Sequence, residues 1–338
     1  MIADPSASPM PPIAVVIPAY RAEEYIGAVL DRIPAFVSAI VVVDDCSPDG
    51  TAALVQQRSD TRLHLVSHAT NQGVGAAVLT GYRKAIELGA EIIVKMDSDD
   101  QMDPAYLIPL VAPLVTGQAD YAKGNRFLHA GELRSMPVVR RIGNAGLSLL
   151  IKAASGYWNL FDPANGYTAI RASIVPLLDA TRIHPRYFFE SSMLMELGLL
   201  GAVIRDVHIP ARYTGQTSSL SEWKALLELP PRLLGGFLRR VLTQYFIRDF
   251  GAFSLLVVLG LLMCIFGAAF GLYHWILSNE TRVAATTGTV MIAILPLMLG
   301  SQLLIQALLI DIQNTPKEPL SRDIEVIRSM MRKASGGK

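Results

Sequence analysis

The stretch "IIVKMDSDDQMDP", residues 92–104, decides how this chain is read. It opens as a strand, with Ile92, Ile93 and Val94 followed by Met96. It then presents Asp97, Asp99, Asp100 and Asp103 almost together, with Gln101 among them. Carboxylates this close repel one another, so they either surround something positive or form a solvated turn. Asp97 and Asp99, two residues apart at a strand end, point the same way once the chain begins to turn. With the amide oxygen of Gln101 they make a hard oxygen set. It suits magnesium or manganese held through few protein ligands, with a diphosphate completing the shell. The calcium-loop pattern D-x-[DN]-x-[DN]-G ending in Glu is absent.

The segments around this stretch alternate between strand and helix patterns. "IAVVIPAY" (13–20), "AIVVVDDC" (39–46), "RLHLVSH" (62–68), "EIIVKMDSD" (91–99), "DYAKGNR" (120–126) and "AVIRDVHI" (202–209) predict strands. Helical patterns cover 23–33, 50–59 and 74–88. Continuous Val/Ile runs separated by helices predict an α/β domain, its mostly parallel sheet covered on both faces. Ligands bind such sheets beyond the carboxyl ends of the strands. Tyr20, Asp44, Asp45, His68, Asp97 and Asp99 all fall at those ends, which predicts a single site. "VVVDDCSPDGT" (41–51) ends a strand on Asp44 and Asp45, suited to accept bonds from ribose hydroxyls or base nitrogens, while Asp49 also fits a helix cap. "NQGVGAAVLTGYRKA" (71–85) is glycine-rich at a helix start. Its spacing is neither the dinucleotide fingerprint nor the phosphate loop, and no Lys follows the glycines, which excludes a P-loop nucleotidase. These glycines predict close backbone packing, with Gly81 allowing a helix contact.

Composition sets the outer bounds. Of 338 residues, 51% are hydrophobic and 17% charged, and the net charge of +1 gives no support to a nucleic-acid partner. Cys46 and Cys264 stand far apart, which excludes a disulfide framework and a zinc site and suits a reducing compartment. The opening "MIADPSASPMPP" lacks the basic start and apolar core of a signal peptide and predicts a disordered lead. Residues 250–279 and 283–310 contain no Asp, Glu, Lys or Arg, and each run exceeds the length needed to cross a bilayer as a helix. Two transmembrane helices with a hairpin at "SNETR" (278–282) follow. Arg232, Arg239, Arg240 and Arg248 precede them. Lys317, Arg322, Arg328, Arg332 and Lys333 come after, and the hairpin holds only Arg282, offset by Glu280. This bias predicts an integral protein of the cytoplasmic (inner) membrane with both termini in the cytoplasm.

Between the two zones, residues 221–248 carry Leu and Phe at near-helical spacing with arginines between them. Pro230, Pro231, Gly235 and Gly236 predict breaks, giving pieces of amphipathic helix on the membrane surface. Gly267 and Gly271, with Gly260 two turns earlier, form a small-residue face suited to contact within the hairpin or in a homo-oligomer. Gln302 and Gln306, one turn apart, suit bonds across helices. The expected organisation is a lead over 1–12 and a cytoplasmic catalytic domain over 13–220. Juxtamembrane amphipathic helices follow over 221–249, then a two-helix hairpin over 250–310 and a cytoplasmic basic tail over 311–338.

Taken in order, "VVIPAYRAEEYI", "VVVDDCSPDGT", "NQGVGAAVLTGYRKA", "DSDDQMDP", "GNRF" and "DPANGYTAIR" resemble the GT-A-fold, family 2 glycosyltransferases. With two C-terminal spans, the chain is similar to the polyprenyl-phosphate glycosyltransferases. That group includes dolichol-phosphate mannose synthase and the bacterial enzymes that glucosylate undecaprenyl phosphate. The resemblance implies that Pro18, Ala19, Tyr20, Glu23, Asp45, Gly73, Asp97, Ser98 and Asp99 surround a nucleotide-sugar donor, with Arg212 closing over its diphosphate. It implies that Asp97, Asp99 and Gln101 hold Mg2+ or Mn2+. It makes Arg126, Arg140 and Asn144 the cradle for the phosphate of a polyprenyl lipid acceptor, with Asp99, Arg126 and Arg140 carrying catalysis. Two departures bear on the donor. Arg21 and Ala22 stand where the family has Asn and an acid, so Glu23 or Glu24 substitutes. Gly215, Gln216, Thr217 and Ser218 lack the Lys of the mannose synthases, which favours a uridine over a guanosine donor.

The chemistry of the residues agrees with this. A lipid phosphate is already an anion and needs positioning more than a base. Planar guanidinium forks suit its oxygens. One direct displacement inverts the anomeric centre. The alternative for Arg126 and Arg140 is ordinary pairing with an acid. Glu190 in "FFESSMLMELGLLG" (188–201) is suited to face the sugar, and His184 and His208, without ligands at spacing, read as structural. Processive polysaccharide synthases carry an R-x-x-R-W segment, and none of Trp158, Trp223 and Trp275 follows such an arginine pair. A non-catalytic scaffold of the same fold is the remaining alternative, since fold alone never proves activity.

Overall fold

The computed structural model describes residues 10–126, 138–163, 165–210 and 222–335. They divide into two compact units, 1–236 with 316–338 and 237–315.

The first unit is built on a seven-stranded sheet. Its strands are β1 (Ile13–Ala19), β2 (Ala39–Asp44), β3 (Leu63–Ser67), β4 (Ile92–Lys95), β5 (Tyr121–Asn125), β6 (Thr168–Arg171) and β7 (Ile204–His208), in the order β3-β2-β1-β4-β6-β5-β7. β1, β2, β3 and β4 run parallel, β6 is antiparallel to both neighbours, and β7 runs parallel to β5. Every residue of β1, β2 and β4 is buried, as apolar runs covered on both faces must be. Ile13, Val15 and Ile17 pack with α1 (Ile26–Asp31) and, further along the chain, with Leu107, Leu110, Val111 and Leu114. A short helix α2 (Thr51–Gln56) follows β2. On the opposite face Val16 meets α3 (Val74–Glu87) at Gly81, where a Cβ would collide with Val16 Cγ1. The glycine lets helix and strand approach closely, as its position predicts.

α4 (Leu107–Val115), α5 (Val138–Ser155), α6 (Phe189–Leu200) and α7 (Glu222–Val241) follow in turn. β6 is the element that the sequence pattern does not announce. It has four residues, too few for a periodic signal, yet its insertion between β4 and β5 makes the sheet mixed. The strand expected over 91–99 stops at Lys95, so the aspartates lie in the turn beyond it.

Three expectations about the C-terminal third change. The helix expected to break at Pro230, Pro231, Gly235 and Gly236 is continuous as α7. Proline holds φ near the helical value; each of the pair removes an N–H donor, and the helix runs through both. Gly236 instead admits a close neighbour, since a Cβ there would collide with Met195 Sδ. The hairpin turn lies later than "SNETR". In the second unit a π-helical turn (Leu242–Arg248) leads to α8 (Ala252–Thr281), and α9 spans Thr287–Gln313. Arg282 closes α8 in a left-handed conformation, φ 53°. Finally, the expected basic tail contains a helix, α10 (Leu320–Ser335), whose first residues dock on Asp120.

α8 and α9 are each long and apolar enough to cross a membrane, with only 11% of each span buried within the protein. Leu262, Ile265, Phe266, Trp275, Met298 and Leu309 all face outward. The two helices meet at their small residues. A Cβ on Gly267 would lie 2.7 Å from the Ala293 carbonyl, and one on Gly300 would lie 2.7 Å from both Cys264 Sγ and the Gly260 carbonyl. Beside them, within the same unit, Arg240 is fully buried and pairs with both oxygens of Asp311 at 2.7 and 2.8 Å. Tyr245 donates to the same carboxylate at 2.6 Å and stacks on Phe253.

Candidate active site

The sheet register sets the carboxyl ends of β1 and β2 side by side, pairing Ala19 with Asp44. The loops leaving β1, β2 and β4 each contain a non-glycine residue in the left-handed region: Arg21 at φ 54°, Cys46 at φ 60° and Asp100 at φ 60°. Non-glycine residues in this region are strained, and all three lie in loops at the carboxyl edge of the sheet.

The aspartates of "MDSDDQMD" separate into two sets. Asp100 and Asp103 both pair with Arg32, the latter at 3.0 Å. Asp103 also caps the turn at Pro104 by accepting from Ala105 N. These two acids hold the loop in place. Asp97 has a different partner. The ammonium of Lys95, 1% exposed, lies 2.6 Å from Asp97 Oδ1 and 3.4 Å from Glu190 Oε1. Burial works against that charge, but Asp97 and Glu190 outweigh it and raise the Lys95 pKa above the usual lysine value. Glu190 stands in the first turn of α6, where negative charge also meets the helix dipole.

Asp99 makes no ion pair among the described residues; its Oδ1 accepts from the Gln101 backbone N–H at 3.1 Å. Burial, and then the charge of Asp97, push its carboxyl above the usual range. Two carboxylates near each other, one of them in no ion pair among the described residues, fit a bound cation. Asp97, Asp99 and the Gln101 amide are the residues that would hold such a cation; among the described residues no three His, Cys, Asp or Glu side chains gather as a metal group. That sparse oxygen set matches Mg2+ or Mn2+ more than a calcium cage. Ser98 is half-buried in the turn between the two acids.

Of the residues that the family resemblance assigns to a donor, several also do internal work. Asp45, 3% exposed, accepts from Gln72 N at 2.8 Å, from Gly73 N at 2.7 Å, and bonds His68 Nδ1 at 2.7 Å. Gly73, at φ 95°, packs beneath Pro185, whose carbonyl accepts from Gly75 N at 2.8 Å. The start of α3 is therefore satisfied by Asp45 and Pro185, in keeping with the exclusion of a phosphate loop. Glu23 accepts from Gly50 N at 2.9 Å and so links its loop to the residue that precedes α2. Pro18 lies past the last β4 partner of β1, where a missing N–H is tolerated. Tyr20 is 46% exposed with the Arg21 guanidinium over its ring. Sequence reasoning weighed Asp44 with Asp45 but assigned only the latter. Asp44 Oδ1 is buried and has no hydrogen-bond partner among the described residues.

On the acceptor side, Arg126 lies just past β5 and pairs with buried Asp162, its Nε at 2.8 Å and its Nη2 at 3.2 Å. Arg140 and Asn144 fall on α5 one turn apart, and their side chains lie outside the described residues. Arg212 also lies outside the described residues. Lys123 and Lys95 went unnoticed in the sequence. They occupy one row of the sheet, either side of Thr168. Lys123 donates to the Asn165 carbonyl, and burial drives its pKa down to about 8.

Residues 14–176 match the model of Glycosyl transferase family 2. The chain is 30% identical over 217 residues to a UDP-N-acetylglucosamine–dolichyl-phosphate N-acetylglucosaminyltransferase of Methanococcus voltae, covering 60% of this chain and 86% of that protein. It is 32% identical over 202 residues to an undecaprenyl-phosphate mannosyltransferase of Micrococcus luteus, covering 58% and 82%. It is 27% identical to a polyprenol monophosphomannose synthase of Mycolicibacterium smegmatis, covering 62% and 79%. The ordered motifs, the GT-A-type sheet with acids at its carboxyl edge, and these likenesses agree: the chain belongs to the family 2 glycosyltransferases.

Proposed function

We propose that this enzyme transfers a single sugar from a nucleoside-diphosphate donor, a UDP-sugar, to a polyprenyl phosphate at the cytoplasmic face of a membrane, with inversion. The observation that carries the proposal is the proximity of Asp97, anchored by Lys95, to Asp99, which makes no ion pair among the described residues, in a chain that also holds two membrane-length helices. The names of the relatives support the acceptor class. Asp97, Asp99 and Gln101 hold the donor end and its divalent cation. That cation, when bound, offsets the charge that grows on the departing nucleoside diphosphate. Arg126, oriented by Asp162, and Arg140 with Asn144 hold the lipid phosphate in line with the anomeric carbon. The exposed leucines of α7 and the π-helical turn, Leu234, Leu238 and Leu242, lie against the lipid surface.

A second reading is a GDP-mannose-dependent mannose synthase, because two of the relatives carry mannosyl-transfer names. The test uses full-length protein in detergent with undecaprenyl phosphate and Mn2+, a panel of UDP- and GDP-sugars, and a chelator control. Glycolipid is read by mass spectrometry. Product with a UDP-sugar, lost with chelator, is the expected result. Product with GDP-mannose alone selects the second reading. No product, with no nucleotide binding in the same sample, leaves a non-catalytic scaffold.

A further inference from the structure

Lys95 ends β4 two residues before Asp97, and its side chain is sealed from solvent. Its ammonium is the single cation that pairs with both Asp97 and Glu190 among the described residues. The backbone of Gly166 closes over it. A Cβ there would lie 2.6 Å from Lys95 Nζ, 3.1 Å from Asp97 Oδ2 and 3.4 Å from Glu190 Oε1. Three chain segments that are distant in sequence therefore meet on one nitrogen.

This contact has a directional consequence. Asp97 has two carboxylate oxygens, and Lys95 engages Oδ1 at 2.6 Å. Oδ2 is left to serve any other partner. A carboxylate held in this way presents Oδ2 to a cation more freely than Oδ1, which disfavours bidentate binding. Magnesium and manganese accept single oxygens in octahedral shells, whereas calcium favours larger shells and bidentate carboxylates. The charges point the same way. One ammonium among Asp97, Asp99 and Glu190 leaves two negative charges, which one divalent cation neutralises.

We infer that Lys95 is a positioning residue that holds Asp97 in single-oxygen geometry and so makes the site select Mg2+ or Mn2+ over Ca2+. The inference rests on the proposed cation site at Asp97 and Asp99 and adds to it the origin of its selectivity.

The test measures Mn2+ binding to full-length protein in detergent with UDP present, from the free Mn2+ electron paramagnetic resonance signal, and then displacement by Ca2+. Wild type is expected to require more Ca2+ than Mg2+ for equal displacement. Lys95→Met is expected to bind Mn2+ about 10–100-fold more weakly, as loss of a ligand-orienting group does, and to lose most of the preference over Ca2+. The double variant Lys95→Met/Glu190→Gln separates orientation from charge. It is expected to stay weak, because restoring the charge balance does not restore the clamp. A Lys95→Met protein with wild-type affinity and preference overturns the inference, as does full recovery in the double variant. Equal displacement of Mn2+ by Ca2+ and Mg2+ in wild type overturns it without any variant, so a Lys95→Met chain that fails to fold does not shelter it. Wild type that binds no Mn2+ at all overturns the cation site itself, and this inference with it.

Discussion

The carboxylate of Asp120, at the foot of β5, accepts the backbone N–H of Ser321 at 2.8 Å across 201 residues of chain. The same carboxylate takes Leu320 N at 2.9 Å and Val203 N at 2.8 Å, and it is wholly buried. It thus acts as an N-cap supplied from outside its helix and ties α10 to the sheet edge. Arg171 adds an ion pair to Glu325 on the same helix. These contacts tie residues 320–335 into the first unit.

Asp120→Ala would leave three N–H groups, two of them buried, without this acceptor. The expected loss is about 3 kcal/mol, with cleavage by protease after residue 315 becoming faster. Thermal unfolding and limited proteolysis read the two effects. An unchanged cleavage pattern would show that α10 is held by other contacts.

Asp99→Ala is expected to lower turnover by at least about 10²–10³-fold while thermal stability holds or rises. A rise is consistent with its burial beside Asp97, where its charge is disfavoured in the folded state. Initial rates with the best donor, set beside a melting curve, decide the matter; full activity in the variant would sink the mechanism.

Lys123 imposes a pH dependence on stability. Burial lowers its folded pKa to about 8, while the unfolded chain keeps the proton up to the ordinary lysine value near 10.5. Between those values the unfolded state binds more protons, so this group's contribution is full above the unfolded pKa and is lost as pH falls through about 8. Wild type should therefore gain stability relative to Lys123→Met as pH rises from 8 to 10, by at most about 1.4 kcal/mol per pH unit. Chemical denaturation of both proteins across that range measures the difference, and parallel profiles would refute it.

Arg240 and Asp311 form a buried pair, 2% and 4% exposed. Removing Arg240 alone strands a buried carboxylate and is expected to destabilise the hairpin unit by about 3–5 kcal/mol. The joint change Arg240→Met with Asp311→Leu should cost distinctly less, since no charge is left unpaired. Unfolding of the three variants in one detergent gives the coupling; equal losses in single and double variants would contradict it.

Much of this protein was legible in its residues alone. β1, β2 and β4 announce themselves because both of their faces are covered, which demands unbroken runs of Val and Ile. The apolar hairpin is equally plain, since no charged residue interrupts either run. The acids at the carboxyl ends could be located the same way, Asp44 as the last residue of β2 and Asp97 two residues past β4. Each of these depends on local pattern.

What only the tertiary structure decided is which charges meet. Lys95 stands inside the very stretch that raised the question of a counter-charge, yet its second partner, Glu190, lies 95 residues away. β6, four residues long, has no pattern of its own and exists because β4 and β5 flank it. Nothing in the sequence names the partners of Asp45, Arg126 and Asp120, and each is bound by groups contributed from another segment. Periodicity records whether a residue faces water or the core. Ion pairing within a few ångströms depends on how distant segments pack, and that information exists only in the folded chain.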